Sequence, residues 1–521
     1  MKRIKKFAAA LLTAIMMMTM TVTAFATEST GTLTVNVNGG QTLANQTVNV
    51  YKLFDMTVSG SGESLNYGYK VNETYKSILD KVLGTEFTDK SDQGYYDAVQ
   101  KATSDGENGN NTQKFANDFT KTLLEYNKDN KSVPIQATDK KEFDKNSTET
   151  STTFNGLAYG YYLVCQTGTK SIQSSLVSLT GSTTSVELKS EAPKIEKKAD
   201  KKTVFVGETV TYTVTGHVPD TTGYDNYIYK IHDTLTSGLD FVTNEAGNKV
   251  KVKVTIDGQV VSDVTAANFV DETGIVNKST RTMVLDLSKK VQAATAGQAI
   301  KVTYQAKVNK DAVVETKNSA TLEYSNKPGT NETGTTKPSE VVTPTYPLDI
   351  NKINAKDKIK MLAGAHFTLY GSTNEGAIDK NNVIKVTKDD EGKYTYASDQ
   401  NATENTTTDM VTVANKIDEK GNLHINGLAA GTYYLEETKA PDGFNKLANP
   451  IKVTITKTSD TDWTITKDGT NEDDKIIDIE NSTGSLLPST GGTGVIVFAG
   501  VAILLVFGVV VSFIRDKRKA C

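Results

Sequence analysis

Late in the chain, three segments place unlike polar groups on one apolar face. Side chains alternate faces along a strand, so in LDINK Lys352 shares a face with Leu348 and Ile350. In YYLEE Glu437 shares a face with Tyr433 and Leu435, and in KIIDIEN Asn481 shares one with Ile477 and Ile479. An amine, a carboxyl group and a carboxamide are thereby aimed into one interior. Burying any of them unpaired is costly, yet together they can react. Loss of water lowers the pKa of an amine and raises that of an acid, so a neutral amine can coexist with a protonated acid. The amine can attack the Asn carboxamide while the acid hydrogen-bonds its oxygen and moves the proton, and ammonia leaves. Such a bond forms once and needs no turnover.

The same logic recurs upstream with different residues. In APKIEKKAD, Ile195 shares a face with Lys197 and Ala199. In YIYKIHDTL, Tyr229, Ile231 and Leu235 share one with Asp233. In TKNSATLEY, Asn318 shares one with Ala320, Leu322 and Tyr324. Lys198 replaces Lys197 if the register slips by one residue. Taken singly, each of these residues also fits an ordinary solvent-facing position, where most Lys and Glu sit.

The elements that must position these groups read as strands. The 521 residues suffice for about three domains. Gly and Thr are abundant and Leu is sparse, which favours β-structure. Block one, residues 27–190, opens with GTLTVNVNGG and QTVNVYKLFD. A helical insertion follows from about Glu73 to Tyr126, including SILDKVL and KFANDFTKTLLEY, and the block closes with FNGLAYGYYLVCQ and SSLVSLTG. Block two, 191–340, alternates throughout, as in TVFVGETVTYTVTG and AIKVTYQAKV, and ends near the Pro/Gly/Thr-rich NKPGTNETGTTKPSE. Block three spans 346–485. Short strands with turn signals between them predict a mainly all-β chain of tandem β-sandwiches. NGLAYGYYL at 155–163 is echoed by NGLAAGTYYL at 426–435, so blocks one and three are expected to share a topology. Aligning their YYL triplets places Cys165 where Glu437 stands. Block one therefore lacks the acid and is expected to form no bond, with Cys165 a small buried apolar residue.

Both ends carry transport signals. MKRIKK, an apolar core and Ala24-Phe25-Ala26 form a secretory signal peptide over residues 1–26, with cleavage expected between Ala26 and Thr27. Near the other end, 494–514 carries no charge and can span a bilayer. Arg515, Lys517, Arg518 and Lys519 place the tail in the cytoplasm. Just before the span stands Leu487-Pro488-Ser489-Thr490-Gly491. This order of pentapeptide, span and basic tail resembles the LPxTG sorting signal (486–521) of Gram-positive surface proteins. The resemblance implies that a sortase cysteine cuts between Thr490 and Gly491 and passes the Thr490 acyl group to an amine, so that the membrane tether is temporary.

YYLEETKAPDGF resembles the E-box, YxLxETxAPxGY, of Gram-positive pilins, with Phe444 in the last aromatic place. With LDINK and KIIDIENS it makes block three look like a CnaB/SpaA-type immunoglobulin-like domain. Block two resembles the CnaA-like middle domain of backbone pilins, and block one a CnaB-like N-terminal pilin domain with its helical insert. The resemblance implies isopeptide bonds Lys352–Asn481, promoted by Glu437, and Lys197–Asn318, promoted by Asp233. It also implies an acceptor Lys for the next subunit in a motif often ending YPK. The junction here reads SVELKSEAPKIEKK, with neither Tyr nor Pro before Lys189. Lys189 is the matching position, Lys194 an alternative and Lys52 a more distant one. The function implied is the structural shaft subunit of a covalent pilus on the cell wall, with sortase, identical subunits and peptidoglycan as partners. Tip or ancillary pilins and host ligands could join these. The alternative is a monomeric wall-anchored adhesin or ancillary pilin.

Other classes find little support. Net charge is −4, and no basic patch with interleaved aromatics invites nucleic acid. The four histidines, His217, His232, His366 and His424, lack metal-ligand spacing. HExxH, GxSxG and phosphate-loop motifs are absent, so neither a turnover enzyme nor a cofactor is expected, and metal binding in loops stays open. With only Cys165 and Cys521, far apart, an internal disulfide is not expected, although an exported chain would permit one.

Overall fold

The structure, a computed structural model, describes residues 29–59, 66–104, 111–189, 191–271, 275 and 280–484. The expected signal-peptide junction Ala26–Thr27, the pentapeptide Leu487–Gly491 and the span 494–514 lie outside the described residues. Among the described residues no helix is long and apolar enough to cross a membrane. The chain divides into two compact units. One takes the chain up to Lys202 with Thr209–Lys307 and Thr316–Thr343. The other takes Thr203–Glu208, Val308–Glu315 and the chain from Pro344 onward.

Within the first unit, residues 29–189 form two sheets. In the smaller, the strand Thr30–Val37 pairs antiparallel with Ser151–Ala158 and parallel with Thr183–Leu188. The larger runs Asn66–Val71, Thr47–Ser59, Gly160–Thr167, Gln173–Leu179. Leu33, Val35, Val50, Phe154, Tyr162 and Val164 fill the space between the sheets. The other face of the larger sheet is also covered. Helices Lys76–Leu83, Asp92–Thr103 and Asn111–Asp129 lay Ile78, Val99, Phe115 and Phe119 on Tyr51, Phe54, Leu163 and Cys165. The second helix starts at Ser91, whose hydroxyl accepts from Gly94 N–H at 3.0 Å, a side-chain N-cap. Sheet faces buried on both sides explain why GYYLVCQT reads as a nearly continuous apolar run.

The rest of this unit is built from long alternating strands. Thr209–His217 lies between Glu196–Ala199 and Ala299–Val308. Tyr229–Leu235 lies between Thr282–Asp286 and Lys317–Ser325. Lys249–Ile256 pairs with both Ala299–Val308 and Ala266–Phe269 and so joins the two groups. Every second residue of these strands is buried: Val210, Tyr212 and Val214; Tyr229, Ile231 and Asp233; Val302, Tyr304 and Ala306.

The second unit is a sandwich. Tyr346–Asn354 pairs antiparallel with Leu423–Leu428 and parallel with Ile476–Asn481. The facing sheet carries His366–Ser372, Gly431–Lys439, Ile451–Lys457 and Trp463–Lys467. Leu348, Ile350, Phe367, Leu435, Val453 and Ile477 are among the residues that fill the interior. Within this unit Phe205 stacks on Tyr396 at 4.4 Å.

The NGL echo is structural. Gly156 and Gly427 both take a positive φ, 70° and 80°. In each block the register jumps across this Asn-Gly pair, a β-bulge of the kind glycine permits. In each, a Tyr on the following strand donates to a carbonyl four residues back. Tyr162 reaches Ala158 O at 2.6 Å and Tyr433 reaches Ala429 O at 2.7 Å. Replacing Phe119, fully buried under the larger sheet, by Ala is expected to lower the stability of residues 29–189 by about 3–5 kcal/mol. The reading is the urea midpoint of the helical far-ultraviolet dichroism signal.

Candidate functional site

In the first unit Lys197, Asp233 and Asn318 meet. Leu235 and Asn318 are cross-strand partners, which puts Asp233 two residues along on the same face. Lys197 enters from the strand Glu196–Ala199, its backbone N–H held by Ser339 Oγ at 2.9 Å. Lys197 Nζ donates to Asp233 Oδ2 and to the Tyr304 hydroxyl, and the Tyr304 hydroxyl donates to Asp233 Oδ2. Asn318 Nδ2 donates to the same hydroxyl at 3.0 Å. The amine lies 5.3 Å and 5.1 Å from the Tyr212 and Tyr304 ring centroids. Both ionisable side chains are wholly buried. Burial pushes the Lys197 amine down against the pull of Asp233. Burial likewise pushes the Asp233 carboxyl up, against Lys197, Tyr304 and Asn318. Both groups thus move toward their neutral forms.

In the second unit Lys352, Glu437 and Asn481 meet. Lys352 and Asn481 stand on the parallel first and last strands, where Lys352 faces Ile479 in register. Lys352 Nζ lies 3.6 Å from Glu437 Oε1 and donates to Ile479 O at 3.2 Å. Asn481 Nδ2 donates to Glu437 Oε2 at 3.0 Å and to Asn445 O. Leu447 N–H donates to the same Oε2 at 2.8 Å, fixing the carboxyl group. The Lys352 backbone is anchored by buried Asn422, whose Oδ1 accepts from Lys352 N–H at 2.7 Å. Its Nδ2 donates to Leu362 O and Val413 O. Burial lowers the Lys352 amine to about 8, opposed by Glu437.

Among the described residues, eight buried side-chain polar atoms find no hydrogen-bond partner. Four are Asp233 Oδ1, Asn318 Oδ1, Glu437 Oε1 and Asn481 Oδ1. Native interiors leave few such atoms, and each asks for an explanation. Here half of them sit on the acids and amides of these two centres.

Block one holds the counterpart of block three. The shared bulges and strand registers match Leu33 to Leu348, and so Val37 to Lys352. The Tyr162 and Tyr433 hydrogen bonds match Gln166, not Cys165, to Glu437. Aligning the YYL triplets fails because parity decides which face a residue takes. Leu163 and Cys165 face the helices, whereas Tyr162 and Val164 face the sandwich interior. Gln166 donates to the Gln46 side chain. Val37 and Gln166 supply neither amine nor acid. Cys165 is buried, and that burial pushes its thiol up to about 12.

Lys198 points outward and pairs with Glu196 at 2.9 Å. Lys189 is exposed, Lys194 pairs with Glu191 at 3.6 Å, and Lys52 is largely covered and pairs with Asp55 at 2.6 Å. Thr490 and its neighbours lie outside the described residues. His232, His366 and His424 pair with Glu323, Asp409 and Asp349. Among the described residues no three His, Cys, Asp or Glu are grouped to hold a metal ion. Sequence reading passed over Tyr304, Asn422 and the Asn445–Leu447 backbone. For Tyr304 a signal existed. It falls on the buried parity of AIKVTYQAKV, and a buried phenol needs a partner.

Residues 346–469 match the SpaA family, a prealbumin-like fold domain. The chain is 24% identical over 408 residues to the trypsin-resistant surface T6 protein of Streptococcus pyogenes serotype M6, covering 68% of this chain and 73% of that protein. Among solved structures, the T6 backbone pilin of serotype M6 S. pyogenes aligns over 89% of this chain and all of its own. That pair has 16% identity and a TM-score of 0.44. The major pilin SpaA of Corynebacterium diphtheriae aligns over 87% of this chain and all of its own, with 15% identity and a TM-score of 0.43.

The Lys352 environment has a measurable consequence. An Asn481→Ala chain keeps the amine free. Its folded pKa of about 8 lies below the unfolded value of 10.5, so between them the unfolded state binds more protons and stability rises with pH. The urea midpoint is expected to climb from pH 8 to 9.5, and the climb should vanish when Lys352→Met is added.

Proposed function

We propose that this chain is a backbone pilin, the shaft subunit of a covalently polymerised pilus on a Gram-positive surface, braced by two self-formed Lys–Asn isopeptide bonds. The observation that carries this reading is the pair of buried amine–acid–amide centres whose amide oxygens lack partners. At the second centre, neutral Lys352 Nζ attacks Cγ of Asn481. The Nζ–Cγ bond forms and the Cγ–Nδ2 bond breaks. Glu437 stands against both nitrogens. Its carboxyl group takes the proton shed by Nζ and returns one to Nδ2, so ammonia departs and the acid is regenerated. Lys197, Asp233 and Asn318 undergo the same condensation. No oxidant or cofactor is consumed, and neither centre turns over.

Lys352 and Asn481 lie on neighbouring parallel strands at the start and end of the sandwich. A bond between them clamps those strands against tension, where a domain held by packing alone relies on roughly 5–15 kcal/mol. The bond between subunits falls to a sortase. Its cysteine cuts after Thr490 and passes the acyl group to an amine of another copy. Lys189 is the preferred acceptor, being exposed at the junction of blocks one and two, with Lys194 and Lys52 as alternatives. Peptidoglycan takes the last acyl group. The chain is thus exported, loses its signal peptide after Ala26, is held by the span 494–514 until cut, and ends in the wall-anchored fibre.

Two condensations expel two ammonia molecules, so the purified extracellular part, residues 27–485, is expected to weigh about 34 Da less than the sum of its residues. Asn481→Ala should restore about 17 Da and cost about 4–5 kcal/mol of stability by loop-closure entropy. The mass comes from intact spectrometry and the stability from a denaturant melt. A full unmodified mass sinks the internal bonds. Wall extracts should show a detergent-resistant ladder that Thr490→Ala abolishes. A single wall-linked band in its place would mark a monomeric adhesin or ancillary pilin.

A further inference from the structure

We infer that Tyr304 is a catalytic residue of the first unit's condensation, carrying the proton from Asp233 to the departing nitrogen of Asn318. The inference rests on the Lys197–Asn318 bond proposed above and says how that bond is made.

The two centres differ in how the acid reaches the amide. Glu437 touches Asn481 Nδ2 itself, at 3.0 Å. Asp233 is one methylene shorter. Its Oδ2 is held by Lys197 Nζ and the Tyr304 hydroxyl, and its Oδ1 has no hydrogen-bond partner. Between Asp233 and Asn318 Nδ2 stands the Tyr304 hydroxyl, 3.0 Å from that nitrogen and donating to Asp233. A phenolic oxygen has one proton and two lone pairs, and all three are in use, toward Asp233, Lys197 and Asn318. The Tyr304 hydroxyl therefore touches the attacking nitrogen, the acid and the leaving nitrogen together.

The step balances. When Lys197 Nζ bonds to Cγ of Asn318, Nδ2 loses its amide conjugation and becomes a basic amine. The hydrogen bond it gave to Tyr304 can then reverse. The phenol proton passes to Nδ2, the phenol oxygen recovers a proton from Asp233, and Asp233 takes the one shed by Nζ. Ammonia leaves, one amide N–H remains on Lys197, and Tyr304 ends as it began. Burial holds the phenol far above its usual pKa, so it enters the reaction carrying its proton.

The test is a cross-linking time course on the full-length chain made in a cell-free system, quenched in detergent and digested with trypsin. Mass spectrometry reads the linked Lys197–Asn318 peptide, with the linked Lys352–Asn481 peptide as control in the same molecule. In Tyr304→Phe the first peptide is expected to form about a hundredfold more slowly, within the range of general acid–base contributions, while the second forms at the wild-type rate. Adding Asp233→Glu to Tyr304→Phe supplies a side chain long enough to touch the amide directly, as Glu437 does, and is expected to recover at least tenfold. A merely structural role for Tyr304 would give no such rescue. An unchanged rate in Tyr304→Phe, or a double variant no faster than Tyr304→Phe, overturns the relay. Absence of the Lys197–Asn318 peptide from the wild-type chain instead overturns the condensation itself.

Discussion

An amine and an acid can share a dry interior only where each is held by the other or by something equally polar, because desolvating either alone costs several kcal/mol. Both centres meet that condition through strand register. Lys197 reaches Asp233 because it falls on the buried parity of Glu196–Ala199, while Lys198, one residue on, reaches only solvent and Glu196. A slip of one residue would turn Lys197 out to solvent and bring Lys198 to the inner face in its place. The hydrogen bonds around each centre serve this register. Asn422 ties Lys352 N–H to Leu362 and Val413, and Ser339 holds Lys197 N–H.

Blocks one and three have a common scaffold but different interiors. They share a parallel pairing of first and last strands, an Asn-Gly bulge with positive φ, and a Tyr hydroxyl bonded four residues back. Yet where one interior holds Lys352 and Glu437, the other holds Val37 and Gln166. The neutral amide of Gln166 donates to Gln46. A fold supplies positions, and the residues at them supply function. The helical insertion marks the other difference. It seals the outer face of the block-one sheet, so Tyr51, Leu163 and Cys165 become core where a two-layer sandwich would leave them wet.

Much of this was legible in the chain itself. Alternation with period two marks the strands, the i, i+3, i+4 spacing of KFANDFTKTLLEY marks a helix, and turn residues separate them. That local periodicity also tells which polar residues share a face with apolar ones, which is how Lys197, Asp233, Asn318, Lys352, Glu437 and Asn481 could be picked out. It failed at Cys165, because a strand buried on both faces has no polar side to mark its parity. Matching letters were then the only guide, and Thr432 shifted them by one.

What the sequence alone determined is therefore what short-range geometry controls: the mainly β architecture, the helical insertion, the recurrence of the NGL segment and the inward parity of Lys197, Asp233, Asn318, Lys352, Glu437 and Asn481. Tertiary structure decided which inward-facing groups meet. Tyr304 stands between Asp233 and Asn318, and Asn445 and Leu447 close around Glu437 and Asn481, through contacts that depend on how separate strands are brought together. Periodicity along one strand carries no information about the side chains of another, so those partners emerge only when the sheets are packed.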